Sequence, residues 1–436
     1  MTKGPLITWR TPDLVVTLSA AIFLFASTAT LPTATLAYCA TMLYGFKSRE
    51  AAFQALVISC LLTASNPSFS SEAALRVKTI GRWLPFLPAY FHLFRRPLRL
   101  NQTSPLILAS IILATTVLIS SYAPITSLAK LASFSLGVYS ICELANSSDK
   151  KTLIKTLTLS IWSVVILSCP TLLIPTIGFN RNASGFQGVL VHPQTYGVFA
   201  AISACFIYAV RKQLLHKRLA DVSLLLLIVS LVLSESRTAV ISAGLGLLIC
   251  HFSQGSVKTP FNAVKPRNVI LIPLVLGLTI IMSPVLIKHT ENFARKRSQQ
   301  KEFSTAFTDS RLELLYRGLA SFQKSPLTGI GFGLPSSKAE FKRKSSARRT
   351  SSVTTEKGNL YIGVLEESGL LGAIALVIII KWSFSPIIAR KQKVEATVPL
   401  VFLLTNLGES TLFSIGGIGF WGWLTIAVVR AEHKHE

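Results

Sequence analysis

Two arginines carry the clearest chemistry in this sequence. Arg237 closes the tetrapeptide SESR (234–237) between two apolar runs, and Arg311 opens RLELLYRGL inside the longest polar segment. A guanidinium stays charged and meets phosphate oxygens with two parallel N–H donors. At the centre of a membrane span an arginine costs about 2.5–3.5 kcal/mol, and less near the edge. Arg237 therefore has two readings: an anion contact, or a side chain that snorkels at a helix end or pairs with Glu235. Arg311 is an anion contact or a solvated loop cation. Taken together, two fixed arginines on one face could clamp a diphosphate.

Other candidates are weaker. His192 in VHPQTYG begins an apolar run, where a lone histidine is either a hydrogen-bonded structural residue or a binding group. The acids of the long polar segment, Glu291, Glu302, Asp309, Glu313, Glu340 and Glu356, form no DxD pair. A divalent metal that holds substrate phosphates usually needs one or two carboxylates, and no metal or cofactor is expected. Neither GxSxG nor HExxH occurs. The six cysteines lie within apolar runs, without CxxC or metal spacing, and read as small buried hydrophobes.

Apolar runs must position these residues. Of 436 residues half are hydrophobic and only 14% charged, against about 25% in soluble domains. Mean hydropathy is +0.53. The expected class is all-α, a polytopic transmembrane bundle. A span needs about 20 apolar residues, and candidates fall at 14–30, 32–46, 51–65, 73–94, 104–121, 125–145, 152–177, 193–210, 220–234, 237–252, 268–287, 359–381, 396–408 and 411–429. About 12–14 of them cross. The run 73–94 carries Arg76, Lys78 and Arg82 and could lie along the interface instead. The N-terminal stretch reads as an uncleaved signal-anchor.

Net charge is +25. No nucleic-acid motif accompanies it, and the cations cluster at the ends of apolar runs, which points to topology and to contact with membrane lipids. Lys47/Arg49, Arg95/Arg96/Arg99, Lys150/Lys151, Arg211/Lys212/Lys217/Arg218, Lys258/Lys265/Arg267 and Arg390/Lys391/Lys393 all fall on one side if every segment crosses. Both termini join them in the cytoplasm. The other side then receives 178–193, SESR, the turn near Glu409, and the long basic segment Lys288–Gly358. Loops beyond about 60 residues escape the positive-inside rule.

That loop has internal order. Ser310 and Glu313 have capping-box spacing, Leu312, Leu315, Leu319 and Phe322 recur with helical period, and Pro326 stops the run. A short amphipathic helix is predicted over 310–324, its apolar side on the bundle or bilayer, with Arg311 in its first turn and Arg317 off the stripe. GIGFG follows as a tight turn, and KRKSSARRTSS reads as flexible and solvated. Three regions result: a membrane bundle over 1–287, the loop over 288–358, and C-terminal helices over 359–436.

Four motifs occur in order: GFQGVLVHPQTYG (185–197), SESRTAVISAGLGLLI (234–249), DSRLELLYRGLASFQKSPLTGIGFG (309–333) and GNLYIGVLEESGLLG (358–372). Over roughly 180–385 the chain resembles the O-antigen ligase/polymerase superfamily of bacterial inner-membrane glycosyltransferases. The resemblance implies a metal-independent GT-C-like fold and a periplasmic site. It also implies a polyprenyl-diphosphate-linked glycan donor and a glycan or lipid-linked acceptor. By motif position, Arg237 and Arg311 would bind the donor diphosphate, with Arg317, His192 and Asn359 as further substrate contacts. Ligases of the family carry a histidine before the asparagine that opens the span after the loop. Here Gly358 precedes Asn359, which favours a polymerase or exopolysaccharide member. Glu356 is then the nearest acid to serve as base, or else a solvated partner of Lys357; Glu409 is a second candidate. The alternatives are a transporter or flippase for the same lipid-linked glycans and an oligosaccharyltransferase acting on protein.

Overall fold

The computed structural model describes residues 29–95, 100–179, 185–214, 217–254, 303–347, 357–414 and 416–432. Among these residues every element of regular structure is helical apart from two isolated β-bridges. The helices are α1 (Leu31–Gly45), α2 (Arg49–Thr63), α3 (Glu72–Gly81), α4 (Phe86–Phe94), α5 (Leu100–Ser120), α6 (Pro124–Ser147), α7 (Lys150–Ser168), α8 (Pro193–Val210), α9 (Lys217–Leu233), α10 (Arg237–Gln254), α11 (Phe303–Lys324), α12 (Lys338–Ala347), α13 (Leu360–Ala389), α14 (Thr397–Thr405) and α15 (Ile418–Arg430). Four stretches are long and apolar enough to cross a membrane: Pro124–Ser147, Lys150–Leu173, Pro193–Gln213 and Leu360–Ala389. The protein is an all-α, polytopic helical membrane protein.

The centre is α8, whose face from Tyr196 to Ile207 is almost wholly buried. Phe199 stacks on Trp421 at 4.9 Å, and Trp421 Nε1 donates to Ser203 Oγ. Large apolar residues instead face outward on α1, α5, α10 and α13, among them Leu36, Ile111, Leu248 and Val377. A soluble protein would bury such residues; a lipid-facing helix exposes them.

One end of the bundle is basic. Lys150 Nζ donates to Ala431 O at 2.9 Å, and Arg390 reaches the carbonyls of both Arg430 and Ala431. Arg49, His92 and Ser147 line one cleft there. The opposite end carries the α9–α10 turn, the first turns of α8 and the segment that follows α11.

The run 73–94 does not form one continuous helix. It is two helices, α3 and α4, broken over 82–85, where Gly81 and Pro85 interrupt helix continuity. The pair runs beside α1 for its whole length. Ser71 N bonds Ala29 O, Gly81 packs on the ring of Tyr38, and His92 Nε2 meets Gly45 O. The break at Arg82 is thus level with the middle of α1.

The runs 396–408 and 411–429 also differ from expectation. Helix α14 has only nine residues, about 13 Å. An irregular connection leads from it to α15. Thr397 lies against Cys250 and Gly246 against Val401. Stepping along both helices, Thr405 comes level with Ser242, about 7 Å below Arg237. The connection 406–417 is thereby recessed into the bundle. Cys169 is exposed, unlike the buried set expected for the cysteines.

Helix α13 is bent at Gly369, with φ 61° and ψ −155°. The bend removes the helical bonds from Leu370 N to Glu366 O and from Leu371 N to Glu367 O. The glycine turn after α11 replaces both. Leu370 N donates to Pro326 O at 2.9 Å and Leu371 N to Leu327 O at 3.2 Å. Glu366 O accepts from Ile330 N at 3.0 Å and Glu367 O from Gly331 N at 2.9 Å. Backbones touch here. A Cβ on Gly329 would lie 2.3 Å from Glu367 C, and one on Gly369 would lie 2.4 Å from Leu327 C. Gly329→Ala and Gly369→Ala should each cost about 2–4 kcal/mol, from left-handed strain and overpacking. Gly244→Ala, with open space around it, should be neutral or stabilising. Unfolding midpoints in detergent check the contrast.

Candidate functional site

The first component is the α9–α10 turn. Ser234, Glu235 and Ser236 are buried, and Glu235 adopts φ 54°, a left-handed conformation uncommon outside glycine. Phe186 N donates to Leu233 O at 2.7 Å. Gly185 fits between Pro193 and Ser234 O, and Gly197 lies beneath Ser236. GFQGVLVHPQTYG and SESR are thus packed as one unit. Arg237 opens α10 from this turn and is partly exposed. His192 is the exposed N-cap of α8, its Nδ1 accepting from Gln194 N at 3.2 Å.

The second component is α11, which starts at Phe303, seven residues earlier than predicted. Ser310 lies inside the helix and not at its start, and Arg311 sits in the third turn. The sequence FSTAFTD contains no Pro or Gly, and nothing stops the helix from extending backward. The buried face also differs. Gly318 and Ser321 are buried and Leu314 partly so, whereas Leu319 and Tyr316 are exposed. Gly318 lets α11 approach α13, where a Cβ would meet Ile362 at 2.7 Å and Glu366 Oε2 at 3.5 Å. By helical period the position of Arg311 shares the Leu314–Gly318 side, whereas Arg317 is exposed. Helix α12 covers Lys338–Ala347, part of the stretch expected to be flexible.

The third component is the junction after the loop. Glu356 lies outside the described residues. Gly358 has φ 67°, and Leu314 Cδ1 lies 3.2 Å from where its Cβ would be. Asn359 caps α13, with Oδ1 accepting from Tyr361 N and Ile362 N, and Nδ2 donating to Leu407 O at 2.9 Å. Leu360 N donates to Asn406 O. Asn406 is fully buried, and its Oδ1 accepts from Thr411 N and Leu412 N. Glu409, in the same connection, is partly exposed. The structure thus joins Arg237 to His192 through Gly185, and Asn359 to α11 through Gly358 and Leu314. The two pairs are linked through α10, α14 and Asn406.

A buried ion network ties these parts together, and it was not read from the sequence. Lys357 Nζ lies 2.9 Å from Glu366 Oε2 and 3.8 Å from Glu367 Oε1, with Lys357 and Glu366 only 5% and 3% exposed. Glu367 Oε2 accepts from Gly333 N at 2.7 Å, and Lys130 Nζ donates to Gly333 O. Tyr122 OH donates to Pro335 O at 2.6 Å. Burial, with Glu340, Glu366 and Glu367 nearby, pushes its pKa above the usual tyrosine value, so it remains a donor. The available signal was a Glu-Glu-Ser-Gly run inside an apolar span, where charge is expensive unless paired. No group of three His, Cys, Asp or Glu side chains that could hold a metal gathers among the described residues.

The fold and this site define a polytopic membrane protein whose chemistry-bearing residues collect at one end, away from the basic clusters. Residues 222–377 match the Wzy_C family model, O-Antigen ligase, which supports membership of the O-antigen ligase-related superfamily. The matched stretch includes Arg237, Arg311, Arg317, Glu356, Asn359 and the bend at Gly369, but not His192. The chain matches no curated protein.

Lys357→Met should cost about 3–5 kcal/mol by leaving Glu366 buried without its cation. Adding Glu366→Leu should recover most of that loss. A double-mutant cycle on unfolding midpoints tests the coupling, and additive single effects would exclude it.

Proposed function

We propose that the protein transfers or polymerises glycan from a polyprenyl-diphosphate carrier at the periplasmic face of the bacterial inner membrane. The observation that carries this reading is the O-antigen ligase match over 222–377, with Arg237 and Arg311 inside it. Glycosyl transfer fits membership of that family. The basic end of the bundle would face the cytoplasm by the positive-inside rule, leaving the site end outside.

The reaction breaks the bond between the donor anomeric carbon and a diphosphate oxygen. The electron pair leaves with the diphosphate, the acceptor hydroxyl oxygen bonds to that carbon, and its proton passes to a base. Arginines at the leaving group stabilise the developing charge, so this mechanism routes no step through a metal. Arg237 and Arg311 would hold the diphosphate, and Arg317, His192 and Asn359 would contact substrate. Glu356 is the proposed proton acceptor, with Glu409 as the substitute. The polymerase or exopolysaccharide assignment rests on Gly358 standing where the ligases carry a histidine. Translocation of the same carrier is the rival reading, and the half-depth cations Lys78 and Arg82 favour it. Vesicles that flip glycan without forming new glycosidic bonds would establish the rival.

With purified protein, a labelled polyprenyl-diphosphate glycan and acceptor, transfer should fall at least about 100-fold in Arg237→Ala and in Arg311→Ala. Glu356→Gln should lower the turnover rate with little change in donor KM. Retained transfer in both arginine variants would remove the clamp.

A further inference from the structure

Lys78 and Arg82 lie four residues apart on α3 and its C-terminal turn, on the side turned into the bundle. Lys78 is 5% exposed. Its Nζ donates to Ser65 Oγ at 2.6 Å and reaches Ser65 O at 3.5 Å. Arg82 NH1 donates to Gly416 O at 3.2 Å, and its guanidinium lies 5.3 Å from the centre of the Trp83 ring. Arg82 Nε is buried without a hydrogen-bond partner. Among the described residues, neither cation meets a carboxylate. Burying two like charges at this spacing, with no anion, is costly unless a ligand supplies the missing charge.

The surroundings suit an anion. Arg82 keeps partial exposure and lines a partly open cleft with Ser59, Thr63, Gly416, Gly417 and Phe420. Two hydroxyls line it, Ser59 Oγ, which donates to Arg82 O at 3.3 Å, and Thr63 Oγ1, which pairs with Tyr38 OH, and no carboxylate is among the lining residues. Gly416 is required for the approach, since a Cβ there would fall 2.3 Å from Arg82 NH1. Both cations connect to the site already described. Ser65, which accepts from Lys78, bridges to Leu190 just before His192. Gly416 belongs to the recessed connection that begins at Asn406.

We propose that Arg82, with Lys78 as the second charge, forms an anion subsite for a phosphate group beside the recessed 406–417 connection. This rests on the reading above for its natural source, the phosphate of the lipid carrier. Arg82 supplies the contact through the partly exposed part of its guanidinium that lines the cleft. Lys78 supplies field strength and orients Ser65. These residues lie outside the segment that matches the family model.

The test measures the thermal midpoint of the full chain in phosphatidylcholine nanodiscs, with inorganic diphosphate and, separately, with a polyprenyl diphosphate. Wild type should gain several degrees from at least one probe. A response to the lipid alone assigns the carrier as source, and a response to both assigns the headgroup chemistry. Arg82→Gln and Lys78→Met should keep or raise the ligand-free midpoint, because an unmatched buried charge is removed. They should also weaken the diphosphate response at least tenfold in apparent affinity. Arg82→Lys, which keeps the charge without the planar guanidinium, covers the case in which Arg82→Gln fails to fold and should also weaken the response. No response in wild type, or an undiminished response in the variants, overturns the subsite. Binding is read without turnover and is repeated in an Arg237→Ala/Arg311→Ala background, so a response that survives loss of the clamp and falls with Arg82→Gln retains the subsite even if no glycan is transferred, and a response lost with the clamp alone overturns it.

Discussion

The arrangement depends on an exchange of two hydrogen bonds. A straight α13 would bond Leu370 N to Glu366 O and Leu371 N to Glu367 O. In the bent helix those four groups turn to Pro326, Leu327, Ile330 and Gly331. Each buried backbone group left unpaired would cost about 1–3 kcal/mol, and more in hydrocarbon. The bend and the glycine turn are therefore each stable only in the presence of the other. This exchange anchors the C-terminal end of α11 on the bundle and sets where Arg311 can be. It also sends Leu360–Ser368 away from the axis of the later part of α13, so the Lys357–Asn359 junction meets Asn406 within the bundle.

Recessed irregular backbone recurs through the structure, and polar side chains satisfy it each time. Asn406 pairs with the amides of Thr411 and Leu412 and with the carbonyl of Phe402. Trp423 Nε1 takes Leu412 O at 2.7 Å. Asn66 holds the carbonyls of Ile177 and Gly188. Non-helical chain at membrane depth is tolerated where protein buries it or a cavity adjoins it. The two breaks, at 82–85 and 406–417, meet at Arg82 and Gly416, so the N-terminal helices complete a surface that the family segment begins.

Composition was enough to read the class, because apolar runs with cationic ends have few alternative explanations. Pro326 stopped α11 where expected, and the GIGFG turn was visible from glycine spacing. The start of α11 was not. Ser310 and Glu313 satisfy a local capping rule, but the seven residues before them also favour helix, so the local signal had a competitor. The apolar stripe misled for another reason. In a membrane protein Leu315 and Leu319 can face lipid, while Gly318 and Ser321 face protein because small residues permit close approach. The bend at Gly369 needs a partner about 40 residues away, which no local period encodes. Of the candidate site residues, Arg237, His192 and Asn359 each stand at a helix start. Glu366 and Lys130 escaped notice, and Lys357 was read as a solvated partner of Glu356, because the buried pairing spans three separate segments.

Pairing separates two kinds of buried charge in this protein. Lys130, Lys357, Glu366 and Glu367 form a continuous set of two cations and two carboxylates through Gly333. That set carries two formal charges of each sign; Lys130 and Glu367 are held by the Gly333 backbone, and Lys357 by its ion pairs with Glu366 and Glu367. Its physical consequence is rigidity, since moving one member strands another at low dielectric. Among the described residues, Lys78 and Arg82 have hydrogen bonds to neutral groups only. Neutral partners orient a charge without cancelling its field, so that field remains available to a ligand. The same criterion applied to Arg390 and Arg430 gives a different result. These two also meet only carbonyls in their hydrogen bonds, but they lie at the basic end, where helix C-termini present partial negative charge. Arg390 compensates carbonyls at the end of α15, and Arg430 takes Trp382 O, the carbonyl left without a helical bond by Pro386; at the helix break beside α1, two cations exceed what the short α3 dipole can balance.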